Sequence, residues 1–244
     1  PLSFAPPAGT AHDVFASWSL DVAKGAHSKS DRYVYDPLDP GSAALDAVEA
    51  PNMLTDQRLI LQQSGKYIIY HTPAFEKDVD IAGFFKLSAY ISLDQPDTDF
   101  HVAVFEIQPD GTNVFLTDDM LRARYRGGDR VAAAVPKNAI QRYAFDRFTF
   151  VARRIQQGSR LRLVIAPMNS LFSEKNYNAG GVVADETGKD ARTLQVSLFH
   201  DEQHPSALSV PIAAPAPEQK HGTPARRRGT RRRWFVWRRI SWRR

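Results

Sequence analysis

The chain has 244 residues and no cysteine, which excludes disulfide frameworks, thiolate metal sites and cysteine nucleophiles. Its 43% hydrophobic and 24% charged residues are ordinary for a globular protein. The formal net charge is +5, but residues 220–244 hold eleven basic residues and no acid. Since 32 basic residues less these 11 leave 21 against 27 acids, residues 1–219 carry a net charge of −6. Specific nucleic-acid binding by the folded part is therefore not expected.

The first segment of the chain has no regular pattern. Residues 1–32 are rich in Ala, Pro, Ser and Gly, and we expect an irregular lead-in before a folded domain over residues 33–213. No apolar run approaches the roughly 18 residues that span a bilayer, and the N-terminus does not resemble a signal peptide. The sequence therefore indicates no compartment.

Short candidate strands separated by turn residues follow from Tyr33 onward. Several alternate between apolar and polar residues, as around Leu161, Leu163 and Ile165. Phe100–Ile107 is largely apolar on both faces, which predicts a central strand covered on both sides. No long helical period is present, so the pattern predicts an all-β fold, a jelly-roll-like β-sandwich of two antiparallel sheets. The candidates are residues 58–61, 66–72, 84–93, 100–108, 113–117, 121–125, 142–153, 159–167, 193–200 and 207–212.

Six short motifs occur in the same order as in one known family. Together they resemble the C-terminal β-sandwich of the CocE/NonD serine hydrolases, which include the Xaa-Pro dipeptidyl-peptidases, cocaine esterase and the α-amino-acid ester hydrolases. The resemblance covers residues 32–213. The motifs are Tyr33-Val34-Tyr35-Asp36-Pro37-Leu38-Asp39-Pro40, Asp56-Gln57-Arg58, the strand-like Pro73–Gly83, Asp97–Gly111 followed by Leu121–Arg126, Asn176–Gly181, and His204–Ile212.

The resemblance implies a galactose-binding-domain-like jelly roll that lies beside an α/β-hydrolase catalytic domain, its expected partner. The parent enzyme would cut an ester or an amide, and this domain would cover one side of the active-site cleft. The loop over residues 41–55 would face the catalytic domain. No cofactor is expected, and a homo-oligomer is left open. The candidates for the substrate pocket or the domain interface are Leu45, Val48, Met53, Leu54, Asp56 and Arg58.

The chain itself offers no catalytic residue. An α/β-hydrolase needs a serine on a Gly-x-Ser-x-Gly elbow, and no serine of this sequence has that pattern. His200, Asp201, His204 and Ser206 supply the residue types of a triad, but triads converge from separate elements rather than from one turn. We therefore interpret His204-Pro205-Ser206 as a turn into the last strand.

Two groups of polar residues have competing interpretations. Asp97 and Asp99 are expected to pair with Arg122 and Arg124 across neighbouring strands, although acids in this region are also compatible with a Ca²⁺ loop other than an EF-hand. We predict no metal site. Asn176, Tyr177 and Asn178 precede two glycines, and they would either contact a ligand or hold the backbone of a turn.

Residues 214–244 form a Pro- and Arg-rich tail, predicted to be disordered. It would bind anionic surfaces non-specifically, or it is an appended or frameshifted segment. As an alternative function, the sandwich is a free-standing carbohydrate- or ligand-binding module. A docking domain should expose an apolar patch, whereas a lectin should present a small groove of aromatic and polar side chains.

Overall fold

The structure is a computed structural model that describes residues 2–4, 20–21, 30–39, 66–170 and 172–213. These residues contain strands and short 3₁₀ turns but no α-helix, and none of their helical segments is long and apolar enough to cross a membrane. The strands are β1 (Leu2–Phe4), β2 (Leu20–Asp21), β3 (Asp31–Tyr35), β4 (Ile68–His71), β5 (Val79–Gly83), β6 (Lys86–Leu93), β7 (Asp99–Ile107), β8 (Asn113–Arg122), β9 (Gln141–Phe145), β10 (Val151–Ile155), β11 (Arg160–Pro167), β12 (Leu194–Phe199) and β13 (Ala207–Ser209).

The strands pair into three antiparallel sheets. The first has the order β2-β1-β13-β6-β12-β3, with β9 on the other edge of β6. The second has the order β4-β11-β7-β8, and β5 pairs with β10 in the third. The prediction of an all-β fold built from antiparallel sheets is confirmed, and the jelly-roll connectivity stays a prediction.

The main apolar core takes alternate residues from the strands of all three sheets. Leu194, Val196 and Leu198 of β12 belong to the same buried cluster as Leu161 and Leu163 of β11. These are the alternating positions that the sequence indicated. Burial of each such side chain contributes roughly 1.5–3 kcal/mol, so the two-residue period alone fixes which face of each strand points inward.

Strand β7 is buried on both faces, as its sequence predicts. It lies between β11 and β8 in the second sheet. Phe100 and Val102 belong to the main core, whereas Ala103 and Phe105 belong to a second buried cluster with Ile69 of β4. A strand with apolar residues on both faces is stable only where both faces are covered.

A buried ion pair joins the second sheet to the third. The carboxylate of Glu106 on β7 is fully buried, and it accepts hydrogen bonds from Arg153 Nε on β10 and from Ser159 Oγ. Removal of one partner from such a pair leaves an uncompensated charge, so this contact fixes the position of β10 over β7.

The structure corrects two strand predictions. Residues 113–125 were predicted as two strands, but β8 runs without a break to Arg122 and a 3₁₀ turn follows. Asp118 and Asp119 look like a turn in sequence, yet both lie within the pairing with β7. Residues 142–153 were predicted as one strand, but Phe145 ends β9 and Val151 begins β10, in different sheets. Phe148, which lies between the two strands, is buried in the core.

The two ends of the folded part also differ from prediction. The lead-in is not wholly irregular, because β1 pairs with both β2 and β13 and extends the first sheet. Strand β3 begins at Asp31, two residues before the predicted domain start. Strand β13 ends at Ser209, and Pro211 O then accepts from Ala82 N of β5. The candidate strand over residues 58–61 and the tail from residue 214 lie outside the described residues, and the domain boundaries stay predictions.

Gly83, at the end of β5, is packed directly against Pro211. Its φ is +146°, and a Cβ atom added there would lie 2.8 Å from Pro211 Cβ. We expect Gly83→Ala to cost about 1–3 kcal/mol and to lower the melting temperature by several degrees, because the new methyl group meets both backbone strain and overlap. Gly127→Ala is the control, since no atom lies within 4 Å of its added Cβ. Equal melting temperatures for the two variants would contradict this packing.

Candidate functional site

One end of the sandwich gathers most of the polar residues singled out from the sequence. Strand register places Asp99 opposite Arg122, Pro167 opposite Phe100, and Ile165 opposite Ile68. The start of β4 and of β7 and the end of β8 and of β11 therefore meet at this end. We call it the loop end, because residues 168–193 follow β11 here.

Two ion pairs at the loop end connect residues at or just before the start of β7 with residues at or just after the end of β8. Asp99 accepts from Arg122 Nε at 2.8 Å and from Nη2 at 2.9 Å, a bidentate geometry. Asp97 accepts from Arg124 Nε at 2.7 Å and from the Arg124 backbone N at 2.9 Å. Asp97 is fully buried. Hydrogen bonding to Asp99 raises the pKa of the Arg122 guanidinium above its usual range.

The asparagine loop is tied to these ion pairs, a connection that the sequence does not indicate. Asn176 Nδ2 donates to Asp97 Oδ2 at 2.8 Å and to Asp99 Oδ1 at 3.0 Å. Asn176 Oδ1 accepts from the backbone N of Asn178, whose Nδ2 donates to Arg192 O. Asn178 has φ +65°, a conformation that asparagine tolerates. Both asparagines therefore hold backbone, and the ligand contact considered for this loop stays a prediction.

Glu186 closes the same loop and was missed in the sequence. Its two carboxylate oxygens accept from Tyr177 N at 3.1 Å and from Gly181 N at 2.8 Å. Arg124 Nη1 donates to Gly181 O at 2.7 Å, which links this carboxylate to the buried ion pairs. No motif marks Glu186, because its partners are backbone amides that any residue type supplies.

The residues that flank the segment 40–65, here called its stems, are held in place at the loop end. Lys66 forms an ion pair with Asp39, and Asn169 Nδ2 donates to Asp39 O at 3.0 Å. Lys175 Nζ donates to Pro37 O at 2.9 Å. Residues 40–65 run between these stems and carry all six predicted interface candidates. Leu45, Val48, Met53, Leu54, Asp56 and Arg58 lie outside the described residues, so their assignment stays a prediction.

Several large apolar side chains are exposed at the loop end. Phe172 is 85% exposed and follows β11, and Met120 of β8 is 54% exposed. Leu38 in the stem before residue 40 and Val182 beyond the glycine pair are also more than half exposed. Exposed apolar side chains of this size, gathered at one end of a domain, are typical of a surface that contacts another protein.

The triad-like cluster near the last strand does not assemble. Ser206 Oγ donates to Phe199 O and accepts from Tyr90 N, so its hydroxyl holds backbone. His204 Nδ1 lies 3.0 Å from Asp201 Oδ1 on the same turn. Within the described ranges, no group of three or more His, Asp or Glu side chains is arranged to hold a metal ion.

We expect Asp99→Ala to lower the melting temperature by several degrees, because it leaves Arg122 and Asn176 without their shared acceptor. Substrate preference should not change in an enzyme that contains this domain. The control is Asp80→Ala, which removes a carboxylate of similar bidentate geometry from Arg154 on an exposed surface. An unchanged melting temperature for Asp99→Ala would contradict the role given to this ion pair.

Three comparisons relate the chain to known proteins. The profile of the X-Pro dipeptidyl-peptidase C-terminal non-catalytic domain matches residues 9–209. Cocaine esterase of Rhodococcus sp. (strain MB1 Bresler) is 25% identical over 207 residues, which are 84% of this chain and 36% of that protein. The structure of an α-amino-acid ester hydrolase aligns with a TM-score of 0.72 at 19% identity, over 87% of this chain and 36% of that chain. A CocE/NonD family hydrolase from Staphylococcus aureus aligns with a TM-score of 0.53 at 15% identity, over 87% and 37%.

These matches agree with the resemblance read from the motifs and extend it. The profile begins at residue 9, so the family's domain includes much of the segment predicted as a lead-in. The chain spans little more than a third of the length of each relative. It belongs to the family of X-Pro dipeptidyl-peptidase C-terminal non-catalytic domains, which form one part of CocE/NonD-type hydrolases.

Proposed function

We propose that the loop end of this domain contacts an α/β-hydrolase catalytic domain and forms one wall of its active-site cleft. The observation that carries the proposal is the way in which the stems of residues 40–65 are fixed. Asp39 and Lys66 pair with one another, and Asn169 holds the same stem from the other side. A group that positions a substrate must keep its place to within about half an ångström, and these contacts hold the described stem residues in place.

The network around Asp97 supports the same proposal. It connects the start of β7, the end of β8 and the loop over residues 176–192 through charge-assisted hydrogen bonds. Loops without such ties move on the nanosecond to microsecond timescale. A non-catalytic domain needs this degree of order at a surface where it shapes a partner's site.

The surface chemistry favours docking over the alternative of a carbohydrate-binding module. The exposed residues Leu38, Met120, Phe172 and Val182 present aliphatic and aromatic groups at the loop end. Sugar recognition needs aromatic side chains interleaved with hydrogen-bonding groups, whereas protein contact needs apolar side chains that exclude water. The oligomeric state and any binding by the tail stay predictions.

The proposal is tested in an enzyme that joins this domain to an α/β-hydrolase catalytic domain. An in-frame Gly-x-Ser-x-Gly in the upstream sequence is the first requirement. Lys66→Met keeps the aliphatic stem and removes the charge that pairs with Asp39. We expect kcat/KM for an ester or amide substrate to fall roughly tenfold, because the wall loses its fixed position, with little change in melting temperature.

The matched control is Lys77→Met, which removes an exposed lysine just before β5, near the turn over residues 156–159 that precedes β11. It should leave kcat/KM unchanged. The proposal is wrong if Lys66→Met also leaves kcat/KM unchanged, or if the upstream sequence encodes no hydrolase domain.

A further inference from the structure

A small cavity at the loop end is lined mostly by apolar side chains. Its volume is about 270 Å³, and its apolar members include Phe100, Met120, Leu121 and Met168. Methionine side chains adapt their shape to an inserted group, and aromatic rings add contact area. The cavity therefore suits an aliphatic chain that enters from outside.

Of the two carboxylates that line this cavity, Glu174 is the one that can bind an incoming cation. Arg122 uses Nε and Nη2 for Asp99, and Glu174 reaches the same Nη2 only at 3.5 Å. The Glu174 side chain is 50% exposed. Two carboxylates thus face one guanidinium, and the rim of the cavity carries an excess of one negative charge. A cation complements this rim.

The volume of the cavity indicates that its occupant is a side chain rather than a larger ligand. A volume of 270 Å³ lies below the roughly 300–1,000 Å³ of sites for drug-sized molecules. A lysine or arginine places its methylene stem along apolar surface and its charged head at a polar rim. Arginine is also enriched among the residues that contribute most to protein interfaces.

We propose that this cavity receives one basic side chain, a lysine or an arginine, from the catalytic domain. The stem of that side chain packs against Met120 and Met168, and its head binds Glu174. The inference rests on the proposed function, because it names a contact of the same loop end. Phe172 and Leu38, exposed at this end, would surround the contact with apolar surface.

The free chain allows a direct test, since it contains only three methionines and two of them line the cavity. Their ¹³C-labelled methyl signals are followed by NMR while n-butylguanidinium, a mimic of the arginine side chain, is added. The signals of Met120 and Met168 should shift at millimolar concentration. 1-Pentanol and n-butyrate should bind at least threefold more weakly.

Glu174→Gln should weaken binding of n-butylguanidinium at least threefold, whereas Glu202→Gln, an exposed substitution elsewhere, should not. Equal binding of 1-pentanol, no response below 100 mM, or no effect of Glu174→Gln would each overturn the assignment of a cation pocket.

A second titration identifies the occupant. In the enzyme that contains the catalytic domain, the cavity is filled, and the same two methyl signals should no longer respond to n-butylguanidinium. A response as strong as that of the free chain would overturn the proposed occupant. The kcat/KM test of Lys66→Met does not depend on this titration. A failure of the pocket proposal can therefore be distinguished from a failure of the proposed function.

Discussion

The fully buried carboxylate of Asp97 is the constraint on which the loop end depends. A charge at such a position is tolerated only when every lone pair is satisfied by strong donors. Arg124 supplies two of these donors and Asn176 supplies a third. Because these donors come from the turn after β8 and from the loop after β11, the requirement of one carboxylate joins it to residues 27 and 79 positions away in the chain. The adjacent pair of Asp99 and Arg122 repeats the arrangement one step along the sheet.

The apolar core and the polar network determine different parts of the domain. The apolar core determines where the strands lie, since alternate residues of β11 and β12 must face inward. The polar network determines where the loops lie, since hydrogen bonds to Asp97, Asp99 and Glu186 have directions that apolar contacts lack. An exposed aromatic pair, Phe84 and Phe150, packs edge to face at 5.4 Å beside β5 and β10. The ion pair of Asp80 with Arg154 on these strands is exposed, whereas the network at the loop end is centred on the buried Asp97. The loop end is therefore the better candidate surface.

The sequence predicted what depends on local pattern. Strands β11 and β12, which alternate cleanly, and β7, which is apolar on both faces, lie where the sequence places them. The structure shows the pairing of Asp97 and Asp99 with Arg122 and Arg124. The break between Phe145 and Val151 was missed. Apolar residues recur between these positions, among them the buried Phe148, so the sequence resembles one continuous strand. Glu186 and the role of Asn176 were missed because both depend on partners distant in sequence. Hydrogen bonds between a side chain and a distant backbone leave no periodic signal in a single chain.

We propose that the loop end is a preformed surface that a catalytic domain covers. Amide hydrogen exchange, compared between this chain alone and the enzyme that contains the catalytic domain, tests that claim most directly. We expect slower exchange across residues 172–192 in the larger enzyme, with unchanged exchange at the opposite turns, residues 108–112 and 156–159. Equal exchange at the loop end, or protection confined to the opposite turns or to the surface of Phe84 and Phe150, would contradict it.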